Sequence, residues 1–176
     1  MQLTVKIEED RSGWDKFVGA LEEIGKKSVH VGIQADEDAE LVMIAGVQEF
    51  GADIRVTPKM RGFFHYAFGI SLKHETTFIS IPSRPFIRQT FDKREAELLE
   101  LGFDLAGLII DGVLTVDQAL GNWGDKLISL IRSEVAEGDN FKPNAPLTKT
   151  VKGAGKHPLQ DSGRLMNALK AVIVSK

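Results

Sequence analysis

The chain contains no cysteine, which excludes a disulfide framework, a cysteine-based zinc site and a thiol nucleophile. Its apolar stretches are all shorter than a membrane-spanning helix requires. The first ten residues lack the basic start and the apolar run of a secretory signal. The formal net charge of −3 argues against a general nucleic-acid coat but leaves local basic patches open. We therefore expect a globular protein of cytosolic type.

What is present is enough for one domain with a substantial core, because 43% of the 176 residues are hydrophobic. Apolar periodicity and turn residues predict the order of elements in the first half. That order is a strand at 3–7, a helix at 12–25, a strand at 28–33, a helix at 41–50 and strands at 53–57 and 76–81. We expect an α+β fold over residues 1–176, with a small mixed or antiparallel sheet packed against two long helices.

Two prolines make the stretch 79–88 a stiff corner between a strand and a helix. Pro85 suits the first position of a helix, and the corner carries two arginines. Two long helices are expected after the corner, the first from Pro85 and the second capped by Thr115 and ended by Gly138. We expect them to pack as an antiparallel pair.

The strands at 53–57 and 76–81 predict a long hairpin, and residues 57–76 between them follow neither strand nor helix periodicity. We expect these residues to form a projecting tip. Cations and aromatic residues of the hairpin and the corner suit a protein or nucleic-acid interface, although a sheet face with flanking charges would also explain them. The predicted interface consists of Arg55, Lys59, Met60, Arg61, Phe63, Phe64, Arg84, Phe86 and Arg88.

Residues 139–157 are rich in proline, glycine and lysine and poor in apolar residues, which predicts a flexible basic loop. A short helix capped by Asp161 and a strand at 171–174 should follow, with the strand returning to the sheet of the first half. The loop carries four lysines that could contact a partner. These are Lys142, Lys149, Lys152 and Lys156.

No catalytic residue, metal ligand or cofactor site is predicted. None of the histidines has the paired spacing that places two ligands on one helix face. The glycine-rich stretch 151–156 lacks the strand–turn–helix context of a phosphate-binding loop. A hydrolase using His65, His74 and Glu75 is the least favoured alternative. We expect a protein that is not an enzyme.

Several motifs occur in an order that resembles one family. They are Val29-His-Val-Gly-Ile33, Gln48-Glu-Phe-Gly51, Val56-Thr-Pro-Lys-Met-Arg61, Ile81-Pro-Ser-Arg-Pro-Phe-Ile87 and Pro158-Leu-Gln-Asp-Ser-Gly-Arg-Leu-Met-Asn167. Together they resemble the tail-completion and neck proteins of tailed bacteriophages, of the virion-morphogenesis and minor-tail type found in Mu-like and lambda Z-like phages. The resemblance covers residues 29–51, 54–91 and 138–174, and Asn167 departs from the serine common near the end of the last motif.

The resemblance implies a structural phage or prophage protein of the head–tail neck, which completes the tail or joins it to the head. It would assemble as a ring, commonly six-fold, and dock on a neighbouring connector, tail-tube or tail-terminator ring. The four lysines of the basic loop would then face either packaged DNA in the channel of the ring or the docked protein. Its location would be the virion, and the host cytoplasm during assembly. The alternative is a small nucleic-acid-binding module that uses the basic and aromatic hairpin.

Overall fold

The computed structural model describes residues 11–146, 148–149, 157–160 and 162–176. The described residues are mixed α+β, 57% helical and 14% strand, which confirms the predicted fold class. The strand predicted at 3–7 lies outside the described residues. The elements are α1 (Ser12–Lys26), β1 (Lys27–Ile33), α2 (Ala39–Phe50), β2 (Ala52–Arg55), α3 (Pro58–Phe68), β3 (Phe78–Ile81), α4 (Arg88–Lys93), α5 (Glu95–Ile110), α6 (Val116–Glu137), α7 (Arg164–Asn167) and β4 (Leu169–Ser175).

The described residues form two compact units, each assembled from segments that are far apart in the sequence. Unit 1 contains residues 11–31, 94–128 and 170–176. Unit 2 contains residues 32–93 and the described part of 129–169.

In unit 1, the final strand β4 pairs with β1, so it returns to a strand of the first half as predicted. The expectation of a single sheet is wrong for the described residues, because β1 and β4 form one two-stranded sheet and β2 and β3 form another. The backbone amide of Lys176 donates to the carbonyl of Lys26 at 2.8 Å and extends this pairing. Helix α6 lies so close to the two strands that a Cβ added at Gly124 would stand 2.5 Å from the Cβ of Ala171 and 3.0 Å from Cγ2 of Val29. The close approach of helix and sheet therefore depends on a residue without a side chain.

Helix α5 and the part of α6 up to residue 128 belong to unit 1, and they are joined by residues 111–115 and by side-chain contacts. The indole N–H of Trp123 donates to the carbonyl of Leu98 at 2.9 Å, and Lys126 pairs with Glu97 at 2.7 Å. The hydrogen bond from Lys126 lowers the pKa of Glu97. These contacts join the start of α5 to the middle of α6, which is the arrangement expected for an antiparallel pair.

The predicted helix boundaries after the corner are partly wrong. Helix α4 begins at Arg88 rather than at Pro85, and the chain breaks at Arg94 (φ −108°, ψ 13°) before α5 begins. The predicted start of α6 is correct, because Thr115 and Gln118 form reciprocal hydrogen bonds of 2.9 and 3.2 Å around its first turn. Gly138, with φ 73°, follows the last residue of α6 as predicted.

In unit 2, strands β2 and β3 form the predicted antiparallel hairpin, with Ala52 opposite Ile81 and Arg55 opposite Phe78. The expectation that no helix lies between them is wrong, because α3 occupies residues 58–68. The Thr57 hydroxyl accepts a hydrogen bond from the Met60 amide at 3.2 Å, and Pro58 takes the first helical turn. Aromatic residues on several faces of this helix hide its 3.6-residue period.

The segment from the basic loop to α7 also differs from expectation. Asp161 lies outside the described residues, and α7 covers only Arg164–Asn167, preceded by Gly163 in the left-handed region (φ 78°). The beginning of the predicted flexible loop is fixed rather than free, because Phe141 and Asn144 are buried. The later lysines of that loop, Lys152 and Lys156, lie outside the described residues.

Candidate functional site

The corner between β3 and α4 is held by polar groups of unit 2, which we call the corner cluster: Gln48, Glu49, Ser83, Arg84 and Arg88. Gln48 and Glu49 come from the end of α2, and the other three come from the corner itself. Two of the motifs that carry the family resemblance therefore meet in space. A left-handed Gly51 (φ 79°) allows this approach, since a Cβ there would lie 3.0 Å from the carbonyl oxygen of Ile81.

Glu49 supplies the negative charge of the corner cluster and is only 6% exposed. Its carboxylate accepts hydrogen bonds from the amides of Ile87 (3.1 Å) and Arg88 (3.2 Å) and from Nε of Arg88 (3.0 Å). The two amides lie at the start of α4, where backbone N–H groups have no helical partner. Glu49 thus caps α4 from another helix, and its charge suits the positive end of the helix dipole.

Arg84 supplies the buried cation of the corner cluster and is 6% exposed. Its guanidinium donates to the carbonyls of Lys142 (2.7 Å) and Pro143 (3.1 Å) and to the side-chain oxygen of Gln48 (2.9 Å). Burial lowers the pKa of Arg84 from its ordinary value, because the charged form loses hydration. All of these acceptors belong to the chain itself, so the guanidinium of Arg84 stabilises the fold.

A second buried carboxylate, Glu134, extends this network of unit 2. Lys93 of α4 pairs with it at 2.8 Å, and the side-chain amide of Asn140 donates to it at 2.9 Å. The Gln89 side chain donates to the carbonyl of Asn140 at 3.3 Å. The corner, α4 and residues 140–143 are therefore tied together at several points.

Sequence reasoning does not single out Glu49 or Glu134 as structural groups. The only signal for Glu49 is its place in the Gln48–Gly51 motif, because a lone carboxylate near a helix end looks like a solvated one.

The residues predicted at an interface divide into two sets. Arg84 and Phe86 are buried inside unit 2, so their assignment to a surface is wrong. Arg88 is exposed and stacks over the Phe50 ring, with its guanidinium carbon 4.9 Å from the ring centroid. The remaining predicted interface residues lie on β2 and α3: Arg55, Lys59, Met60, Arg61, Phe63 and Phe64.

Arg61 is not available to a partner. Its two terminal nitrogens donate to the carbonyls of residues 72, 73, 74 and 76 at 2.7 to 3.1 Å. The guanidinium therefore shapes the connection from α3 to β3 from within.

An exposed surface remains on α3, which we call the aromatic face: Lys59, Phe63 and Tyr66. These residues follow one another at intervals of four and three, so they lie on one side of the helix. Phe63 is 58% exposed and Tyr66 88% exposed. The Phe63 ring also packs edge to face on Phe68, with ring centroids 5.5 Å apart, which holds it in place.

Of the predicted basic loop, Lys142 and Lys149 are exposed. The carbonyl of Lys142 is bound by Arg84, so the backbone there is fixed while the side chain is exposed to solvent. In the part of the chain that the structure describes, no three His, Asp or Glu side chains are placed to hold a metal ion.

Comparison of the chain with protein-family models, curated proteins and solved structures finds no match. Among the described residues, no helix is long and apolar enough to cross a membrane. The function is therefore inferred from the corner cluster and from the exposed surfaces.

Proposed function

We propose that the chain is a structural protein of a tailed-phage or prophage particle, which acts in the head–tail neck without catalysing a reaction. It completes the tail or joins it to the head by assembling into a ring that docks on a neighbouring connector or tail ring. Its place is the virion, after assembly in the host cytoplasm.

The observation that carries this proposal is the corner cluster. The Gln48–Gly51 and Ile81–Ile87 motifs, on which the family resemblance rests, are distant in sequence but bind each other through Arg84, Glu49 and Ser83. Motifs that meet in this way support the resemblance better than either motif alone, because each supplies the other's hydrogen-bond partners. Their role is to build a rigid frame rather than to hold a substrate.

The aromatic face is the surface through which the protein would dock on a neighbouring ring. When a partner binds, exposed aromatic side chains bury a large apolar area and lose little conformational entropy. Aromatic residues are enriched in the centres of protein interfaces. Phe63 and Tyr66 are exposed next to each other on one side of α3, and contiguous exposed apolar surface is typical of interaction sites. A docking surface on a rigid frame is what ring-on-ring assembly requires.

The proposal is tested by electron microscopy of an induced lysate from which this gene alone is deleted. We expect full heads beside separate or overlong tails, and normal particles when the wild-type gene is supplied in trans. Intact, infectious particles in normal yield without the gene would refute the neck function.

The alternative, a nucleic-acid-binding module, is favoured by three exposed cations on or beside α3, Arg55, Lys59 and Lys73. A gel shift with Lys59→Ala separates the two functions. If the aromatic face binds single strands, the slope of log affinity against log salt should become shallower by about 0.7 for each phosphate that the variant no longer binds. Arg61→Ala is unsuitable, because it would disturb the connection after α3.

A further inference from the structure

Charge is segregated along the chain in a way that the proposed function does not use. From residue 95 to residue 125 there are seven carboxylates and no lysine or arginine. From residue 54 to residue 74 there are four lysines and arginines and no carboxylate. The first range contains α5 and the second contains α3.

Helix α5 has an exposed apolar row in addition to its buried one. Leu98 and Leu105 are buried in unit 1, whereas Leu99 is 56% and Phe103 76% exposed, and Ile110 is also exposed. Leu99, Phe103 and Ile110 lie on one side of the helix, because they are spaced by four and seven residues. The helix is therefore apolar on two sides, of which one is buried by the described residues of unit 1 and the other is exposed.

Each residue of this exposed row is followed by an acidic residue. The pairs, which we call the acidic stripe, are Leu99-Glu100, Phe103-Asp104 and Ile110-Asp111, and all six residues are exposed. A helix turns by about 100° per residue, so the carboxylates form a second row beside the apolar one. The stripe is thus an apolar ridge with a negative border.

The aromatic face on α3 has the complementary chemistry. Phe63 and Tyr66 supply an exposed apolar surface, and Lys59 lies in the same row. Arg55 and Lys73 are exposed on the residues that flank α3. If the aromatic face binds the acidic stripe, apolar side chains contact apolar side chains and positive charges lie opposite negative ones.

We infer that the acidic stripe of one copy of the chain docks on the aromatic face of the next copy, in a head-to-tail contact. The alternative of stripe against stripe would place Glu100, Asp104 and Asp111 of one copy against the same residues of another, and like charges at an interface are repelled. In a row of copies joined by two unlike surfaces, the copy at one end has a free acidic stripe and the copy at the other end has a free aromatic face. Such a row can therefore add copies until its two ends bind each other and form a ring. Only the closure of the copies into a ring rests on the proposed function, and the contact between two copies does not.

Because the 176 residues include no cysteine, this contact can be tested with single-cysteine variants of the chain. Two single-cysteine variants, Phe103→Cys and Tyr66→Cys, are purified with tags of different size, mixed and oxidised. The mixed disulfide should form roughly tenfold or more faster than either homodimer, because docking raises the local thiol concentration toward the millimolar range. High salt should slow it, because the borders are charged.

A matched control is Ser133→Cys, on an exposed position of α6 outside both surfaces. Mixed disulfides of this variant with Tyr66→Cys should form only at the rate of random collision. The inference is overturned if the Phe103–Tyr66 pair forms no faster than this control, or if the Phe103 homodimer forms fastest.

The two proposals fail in different ways. If the deletion strain shows separated heads and tails but the mixed disulfide does not form, the neck function stands and the contact is wrong. If the disulfide forms but particles assemble normally without the gene, the contact stands and the neck function is wrong.

Discussion

Replacement of Arg84 by methionine should strongly destabilise the chain, since methionine fills much of the same volume but donates no hydrogen bond. The carbonyls of Lys142 and Pro143 and the side-chain oxygen of Gln48 would each be left without this donor. These hydrogen bonds are partly buried, so each acceptor that loses its donor should cost about 1 to 1.5 kcal/mol, and we expect a loss of about 3 to 5 kcal/mol for all three.

The measurement is urea unfolding followed by far-ultraviolet circular dichroism. With a slope of about 2 kcal/mol per molar urea, the midpoint should fall by roughly 1.5 to 2.5 M. Tryptophan fluorescence is a poorer probe, because both tryptophans, Trp14 and Trp123, lie in unit 1 while Arg84 lies in unit 2. Circular dichroism follows the helices of both units.

The matched control is Arg55→Met, the same substitution at an exposed position of β2. A surface change of this kind should alter the unfolding free energy by less than about 0.5 kcal/mol. If Arg84→Met lowers the midpoint no more than Arg55→Met does, the corner cluster does not stabilise the fold.

Three further changes test other contacts by the same urea assay. Glu97→Gln should lower stability at neutral pH, and its deficit should shrink near about pH 4, because a carboxylate with a lowered pKa stabilises the fold above its unfolded pKa and loses that contribution as it is protonated. Gly124→Val should cost about 1 to 3 kcal/mol or more, because its side chain would clash with Ala171 across a close helix–sheet contact. Thr115→Ala should cost about 1 kcal/mol, because the first turn of α6 loses its cap.

Each of these expectations has a contrary result. A Glu97→Gln deficit that stays constant or grows with acidity would contradict the ion pair with Lys126. Wild-type stability of Gly124→Val would mean that α6 does not approach the strands so closely. Thr115→Ala should be compared with Asn122→Ala on an exposed position of α6, and equal stability of these two variants would contradict the cap. Asp117→Ala is not a suitable control, because Asp117 binds Lys27.

The parts of the fold that the sequence predicts correctly are those with local signals. Thr115 caps α6 through a residue three positions away, and Gly138 ends the same helix through its own backbone conformation. Hydrophobic periodicity misses helix α3 although Thr57-Pro58 and Gly69 mark both its ends, because its aromatic residues are spread around the helix and obscure the period. A start and a stop signal are more informative there than the period.

The candidate site is harder to predict than the elements, because its interactions are not local. In the sequence Arg84 resembles a surface cation, but its carbonyl partners lie 58 and 59 residues further along the chain. Nothing in the local sequence indicates that two carbonyls will converge on one guanidinium. Lys59 and Phe63 are predicted at a surface and are exposed, although the helix that carries them is not predicted.

The hydrogen bonds from Arg61 to the connection between α3 and β3 affect how the protein can change over evolution. One guanidinium binds four main-chain carbonyls between residues 72 and 76, so it fixes the path of that connection without using any of its side chains. Lys73, His74 and Glu75 are exposed on that path. They can therefore be replaced by other residues with little effect on the backbone conformation. Exposed side chains on this connection can thus adapt to a new partner while the fold of the protein stays the same.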